Sequence, residues 1–248
     1  MADQTANTAV LNREDAPVTA TVTSVEIPHR SAAYLFFKRC FDIASSLVVS
    51  VLLLLPLTAL AIIVMAYDFG NPFYVQKRVG KNGKPLYIAK LRSMKLGADD
   101  LEKMLTPEQL ERYKKEYKLD DDPRLIGYKK PGDGKSCFGA KLRRMSLDEL
   151  PQIIWNICVK GNMSVVGPRP IPEEELEKNY TPEEQKLFLS VKPGLTGYWQ
   201  AYARNDATYE TGERQRMELY YAQNASVWLD VKIIFATVGA VMRKKGAK

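Results

Sequence analysis

From Ile43 to Tyr67 the chain runs 25 residues without a charge, with Pro56 near the middle. About 20 apolar residues suffice to cross a bilayer as a helix, so this run predicts a membrane segment. A signal peptide fits poorly, because the run is too long, starts too late and lacks a small-residue cleavage site. Proline inside a helix removes one hydrogen bond and crowds the preceding turn, so a kink or break is expected at Pro56. Lys38 and Arg39 precede the run. Lys77, Arg78, Lys81, Lys84, Lys90, Arg92 and Lys95 follow it, with no acid between residues 71 and 95. Basic flanks favour the cytoplasmic side. Two topologies remain open: a helix-break-helix that enters and returns on one face, and a single Pro-kinked span.

The charge balance adds a second constraint. The net charge of +7 points to anionic partners, whether phosphorylated molecules, acidic lipid or nucleic acid. The only histidine, His29, lies in a polar N-terminal stretch. A Ser-His-Asp or Cys-His site in the folded body is thereby excluded, as is a His-rich zinc site. Cys40, Cys137 and Cys158 have neither metal-ligand spacing nor the pattern of a disulfide framework. Carboxylate, Lys, Tyr or Cys must carry any chemistry.

Residues 1–33 have no periodicity and read as a disordered tail. Residues 34–70 read as the membrane segment, and 71–248 as a cytosolic, membrane-associated domain. Phe73–Val79 and Pro85–Leu91 alternate as strands around Asn82-Gly83, a hairpin signal. Helices are expected over 97–118, 151–159, 172–190 and 208–224, and a polar loop over 119–137. Ser226–Met242 is apolar, with Trp228 near one end and Arg243-Lys244-Lys245 beyond the other, which suits an interfacial helix. The fold class is α+β, mostly helical, with a small hairpin. Gly134-Lys135-Ser136 lacks the first glycine of a phosphate-binding P-loop and is set aside.

The densest polar cluster is Leu142-Arg-Arg-Met-Ser-Leu-Asp-Glu-Leu-Pro-Gln152. Ser146-x-x-Glu149 matches a helix capping box, which would make Glu149 a cap and Asp148 a favourable N-terminal charge. Pro151 argues otherwise, since proline prefers the first helical position. A helix starting there leaves Asp148 and Glu149 just before its N-terminus, beside Arg143 and Arg144. In that place one carboxylate can attack phosphorus and the other can hold Mg2+. Arg169, stiffened between two prolines in Val166-Gly-Pro-Arg-Pro-Ile171, suits a phosphate clamp. Trp199 and Tyr202 can stack on a base or sugar, or pack a core.

Lys38-Arg39-x-x-Asp42 precedes the Pro-broken run. Phe73-Tyr-Val-Gln-Lys-Arg-Val-Gly-Lys-Asn-Gly-Lys-Pro85, Lys90-Leu-Arg-Ser-Met94, Ser146-Leu-Asp-Glu-Leu-Pro-Gln152, Gly161-Asn-Met-Ser-Val-Val-Gly-Pro-Arg-Pro170, Lys192-Pro-Gly-Leu-Thr-Gly197 and Trp228-Leu-Asp-Val-Lys-Ile233 follow in order. This series, over residues 34–242, resembles the bacterial sugar transferases, the monotopic phosphoglycosyl transferases. It looks closest to the short exopolysaccharide and capsule initiators that lack an extra N-terminal membrane domain. The resemblance implies transfer of a sugar-1-phosphate from a UDP-sugar to undecaprenyl phosphate, with release of UMP. It implies a re-entrant membrane helix broken at Pro56, inserted from the cytoplasmic face of the bacterial inner membrane. By motif match Asp148 would be the nucleophile and Glu149 the Mg2+ ligand. Lys90, Arg92, Arg143, Arg169 and Arg204 would handle substrate phosphate. No nucleic-acid partner is implied. Asn162 and Glu218 stand where the family has Asp, and Ala203 where it has Gly. The segments 127–139 and 153–160 look longer than is usual in the family.

Overall fold

The computed structural model describes residues 27–116, 119–203, 209 and 211–242. Helix α1 spans Ala32–Asp68, 37 residues, or about 55 Å at the α-helical rise. Ser31 caps it by accepting the Tyr34 amide at 3.2 Å, and Phe69 ends it in a left-handed conformation. The ordered body therefore starts slightly earlier than residue 34. Arg30 also docks, bonding to Ser190 Oγ at 3.2 Å and to the Ala222 carbonyl. Residues 1–26 of the expected tail lie outside the described residues.

The expected break at Pro56 is not seen: α1 stays helical through it. One lost hydrogen bond is tolerable where the flanking turns hold, and Thr58 Oγ1 donates back to the Leu54 carbonyl at 2.7 Å. Back-bonding of this kind bends helices without ending them. Ser50, earlier in the same helix, has a buried hydroxyl without a hydrogen bond among the described residues.

One face of α1 is buried near both ends, at Asp42 and Ser46 and again at Leu57, Ala61 and Val64, while none of residues 47–56 between them is buried. The other face exposes Leu47, Val48, Val51, Leu52, Leu55 and Ile62. Both ends are fastened to the same body. Asp42 Oδ1 accepts from Ser164 Oγ and the Val165 amide, each at 2.9 Å. Lys38 Nζ donates to Asp230 at 2.8 Å and to the Val166 carbonyl at 3.0 Å. At the far end Asp68 forms a two-pronged pair with Arg92, both contacts at 2.5 Å. Between these anchors Leu57 and Ala61 pack on Leu91, Leu150 and Ile154.

The hairpin forms as expected: β1 (Phe73–Val79) pairs antiparallel with β2 (Pro85–Leu91) in the register Tyr74–Lys90, Gln76–Ile88, Arg78–Leu86. Asn82 and Gly83 turn the chain with positive φ of 57° and 74°. The helix expected over 97–118 is two pieces, α2 (Leu101–Met104) and α3 (Pro107–Glu116). Residues 117–118 lie outside the described residues. Proline at the first position of α3 cannot continue α2, and Thr106 caps α3 reciprocally with Gln109. The polar loop then leads to α4 (Phe138–Arg144).

Residues 151–152 start a helix that widens into a π-helix over Ile153–Val159. A short strand β3 (Ser164–Val166) follows, and the expected 172–190 helix divides into α5 (Glu173–Asn179) and α6 (Pro182–Phe188). Thr181 and Glu184 form a complete capping box at that break, ahead of Pro182. Strand β4 (Gly194–Thr196) pairs parallel with β3, a second sheet not anticipated from the sequence. Helices α7 (Tyr198–Tyr202), α8 (Glu213–Asn224) and α9 (Val227–Met242) complete the body. They enclose a core around Val166, Leu187, Leu219, Tyr221 and Ile233. Helix α9 buries Asp230 and Ile233 and exposes Trp228, Phe235 and Val238, as an interfacial helix would.

Candidate active site

The chain leaves α4 and reverses at Ser146, whose backbone is left-handed at φ 54° and ψ 24°. A capping residue needs extended backbone, and Ser146 makes no capping hydrogen bond. The capping-box reading of Ser146-x-x-Glu149 is therefore excluded. Leu147–Glu149 form one 3-10 turn, and the helix begins at Pro151, as its proline preference predicts. The acid pair sits in the tight link between these helices. Leu150 and Ile154, just beyond it, rest on Leu57 and Ala61 of α1. The two carboxylates therefore lie beside the segment of α1 that follows Pro56.

Asp148 is buried, with 8% of its surface exposed. Burial, aided by the Glu149 charge, pushes its carboxyl up to about 6, while Lys90 and Arg143 pull the other way. Glu149 Oε1 lies 3.4 Å from Lys90 Nζ and 3.9 Å from Arg169 Nη2. Lys90 comes from β2, and burial lowers its proton affinity. Asn156 fixes that strand against the π-helix: its Nδ2 donates to the Tyr87 carbonyl at 2.8 Å and its Oδ1 accepts from the Ala89 amide at 3.2 Å. Asn162 accepts from Asn156 Nδ2 at 3.2 Å, so its side-chain amide belongs to the same brace.

Arg169 follows β3 on the Gly167-Pro168 turn. Its amide donates to both Glu218 oxygens at 3.3 Å. Glu218 is fully buried and its carboxyl is pushed up to about 7, chiefly by burial, against the pull of Arg214 and Arg169. The turn packs on β4 so closely that a Cβ on Gly194 would fall 2.1 Å from the Gly167 nitrogen. The Arg169 guanidinium faces the Trp199 ring at 5.9 Å, and Arg214 lies over the same ring at 4.2 Å.

Arg143 is exposed, tied to Ser93 Oγ at 2.9 Å, and acts electrostatically on Asp148. Arg92 is not brought to the site. It lies one residue beyond β2, and its guanidinium is committed to Asp68 and to the carbonyls of Asn71 and Met94. Arg204 lies outside the described residues.

A small open cleft lies beside the acid pair, lined in part by Arg78, Lys90, Glu149, Gln152, Arg169 and Gln200. Arg78, Gln152, Gln200 and the Glu218 prop were not singled out as site residues from the sequence. The signal for Arg78 was available: the hairpin register and period-two alternation put it on the same face as Lys90. Among the described residues no group of three or more His, Cys, Asp or Glu side chains could cage a metal. The acid pair still matches Mg2+, which takes one or two carboxylates when substrate phosphates fill its remaining positions.

The cleft thus gathers cations around an acid pair whose Asp148 is buried, against an apolar helix. The family model for bacterial sugar transferases matches residues 33–244. The chain belongs to the bacterial sugar transferase family. Among curated members of the family, a UDP-galactose-lipid carrier transferase of Erwinia amylovora is 39% identical over 215 residues, 86% of this chain and 42% of that protein. An undecaprenyl-phosphate galactose phosphotransferase of Salmonella typhimurium is 36% identical over 86% of this chain and 42% of its own length. The chain thus spans about two fifths of these two relatives. The exopolysaccharide production protein ExoY of Rhizobium meliloti is 38% identical over 85% of this chain and 87% of its own length. All the described residues around the acid pair fall inside the family match.

Proposed function

We propose that this sugar transferase moves a sugar-1-phosphate from a UDP-sugar to undecaprenyl phosphate and releases UMP, as the first membrane step of exopolysaccharide or capsule synthesis. The observation that carries the reading is the Asp148–Glu149 pair, with Asp148 buried and Glu149 half-buried, beside Lys90, Arg143 and Arg169 and seated against α1. The activities named for the Erwinia and Salmonella relatives support the lipid carrier and a hexose donor such as galactose.

The chemistry follows in two displacements. An Asp148 carboxylate oxygen attacks the phosphorus that bears the sugar. The bond to the bridging oxygen breaks, and its electron pair leaves with UMP. The sugar-phosphate is then held on Asp148 as an acyl-phosphate. A phosphate oxygen of undecaprenyl phosphate attacks the same phosphorus and returns the carboxylate, giving ping-pong kinetics. With its carboxyl raised only to about 6, Asp148 is mostly ionised at neutral pH, as a nucleophile must be. Lys90 and Arg169 neutralise phosphate charge as it builds. Glu149 would hold Mg2+, which when bound supplies further charge neutralisation on the phosphates.

The membrane reading is a monotopic insertion of α1 from the cytoplasmic face, with both ends on that side and the re-entrant course carried by a bend at Pro56 rather than by a break. Two observations support it: both ends of α1 are fastened to one body, and only the opposite face is apolar and exposed. A single span would carry those ends to opposite sides of a hydrocarbon layer about 30 Å thick. Side-on insertion covers the apolar face and holds the acid pair where a lipid phosphate meets a cytosolic nucleotide sugar, which supplies proximity.

The test is UMP release from a panel of UDP-sugars with undecaprenyl phosphate, for the wild type and Asp148→Asn. Turnover by the wild type and its loss in the variant, with membrane association intact, is the expected result. Normal turnover in Asp148→Asn would remove the nucleophile assignment.

A further inference from the structure

Arg78 stands in the cleft wall without an ion-pair partner among the described residues. It projects from β1 on the face that carries Lys90. Its Nη2 donates to Gln76 Oε1 at 2.6 Å, while its Nε is buried without a hydrogen bond. Among the described residues it forms no ion pair, and it is only partly exposed. A buried donor such as its Nε is costly without an acceptor, and it persists where a ligand supplies one. Burial lowers the proton affinity of Arg78, and Arg169 adds repulsion, against the pull of Glu175 and Glu149. Arg78, Lys90 and Arg169 line the cleft, with Glu149 the one carboxylate among its lining residues. A diphosphate presents oxygens on two phosphorus atoms, so three cations spread along one wall can engage both phosphates at once, which a monophosphate cannot match.

We propose that Arg78 is a phosphate-binding residue and that Arg78, Lys90 and Arg169 together select a diphosphate over a monophosphate. This rests on the reading of the cleft as the nucleotide-sugar site. Gln76 holds the guanidinium in place, so its planar fork is preorganised for two phosphate oxygens. The alternative role is structural, with Arg78 merely bridging the fields of Glu175 and Glu149. That role would make its loss act on every ligand alike.

Calorimetric titration of the full-length protein in detergent with Mg2+ separates the two roles. The ligands are UDP, UMP, inorganic pyrophosphate and inorganic phosphate. Arg78→Gln should weaken UDP and pyrophosphate by about 10- to 100-fold, the range of a charge-assisted hydrogen bond, with UMP and phosphate changed by less than about 3-fold. Arg78→Lys keeps the charge but loses the fork, so it should show the same selectivity with a smaller loss. If Arg78→Gln fails to fold, the Lys variant carries the test. Equal weakening of diphosphate and monophosphate, or no weakening, overturns the proposal. Wild-type binding of pyrophosphate without UDP would refute the nucleotide-sugar reading while leaving Arg78 as a diphosphate ligand. Wild-type binding of neither UDP nor pyrophosphate refutes both.

Discussion

Replacing Asp148 by Asn should abolish transfer and at the same time stabilise the protein. The carboxyl rises from an ordinary 3.8 to about 6 in the fold. A group whose folded value lies above its unfolded value favours folding at low pH, and that contribution is lost as pH climbs through the folded value. At about 1.4 kcal/mol per pKa unit, the ionised Asp148 costs the native state about 3 kcal/mol above pH 7. The attractions of Lys90 and Arg143 are already contained in that figure. Asn keeps the size and loses the charge. It should therefore be more stable than wild type by about 3 kcal/mol at pH 8 and by about half as much at pH 5. For a domain of this size that is a rise in melting temperature of about 6 to 12 °C at pH 8. Melting in detergent at both pH values, followed by tryptophan fluorescence, measures it. A variant no more stable than wild type at pH 8, or a gain that grows toward acid, would refute the reasoning, because Asp148 would then not be a desolvated anion.

The remaining predictions bear on separate parts of the site and fold. The rate of UMP release at limiting donor should fall about tenfold per pH unit below pH 6, as Asp148 protonates, and stay level just above it; a flat profile down to pH 5 would contradict the raised carboxyl. Arg92→Gln should cost about 3 kcal/mol of stability, because it leaves Asp68 without its partner, whereas Lys90→Gln should depress turnover far more than melting temperature. Equal effects of the two on turnover, at matched stability, would return Arg92 to the site. Cysteines placed near residue 30 and near residue 82 should label from the same side of sealed vesicles; labelling from opposite sides would rule out the re-entrant insertion.

How far the sequence reached depended on the range of the signal. The β1–β2 hairpin was legible because alternation and Asn82-Gly83 are local. The apolar run announced α1, but its docking was hidden: Asp42, Lys38 and Asp68 find partners more than twenty residues away. Thr106-Pro107 and Thr181-Pro182 interrupt expected helices through ordinary capping chemistry that long-window periodicity overrode. The β3–β4 pairing had no signal, since three-residue strands meeting at Gly167 and Gly194 leave no alternation to read. At the acid pair, local rules offered both a cap and a catalytic turn, and the left-handed backbone of Ser146 removed the cap. Lys90 and Arg92 look equivalent in Lys90-Leu-Arg92. Tertiary structure separates them, because Arg92 lies past the strand end, where Asp68 takes it.

The central claim is that Asp148 carries the sugar-phosphate. Intact-mass spectrometry after mixing the protein with a turned-over UDP-sugar and Mg2+, without lipid acceptor, tests it directly. One UMP should be released per protein, with a matching sugar-phosphate adduct on the peptide containing Asp148. The adduct should vanish on adding undecaprenyl phosphate and be absent in Asp148→Asn. UMP released only when acceptor is present, with no adduct at any time, would contradict it.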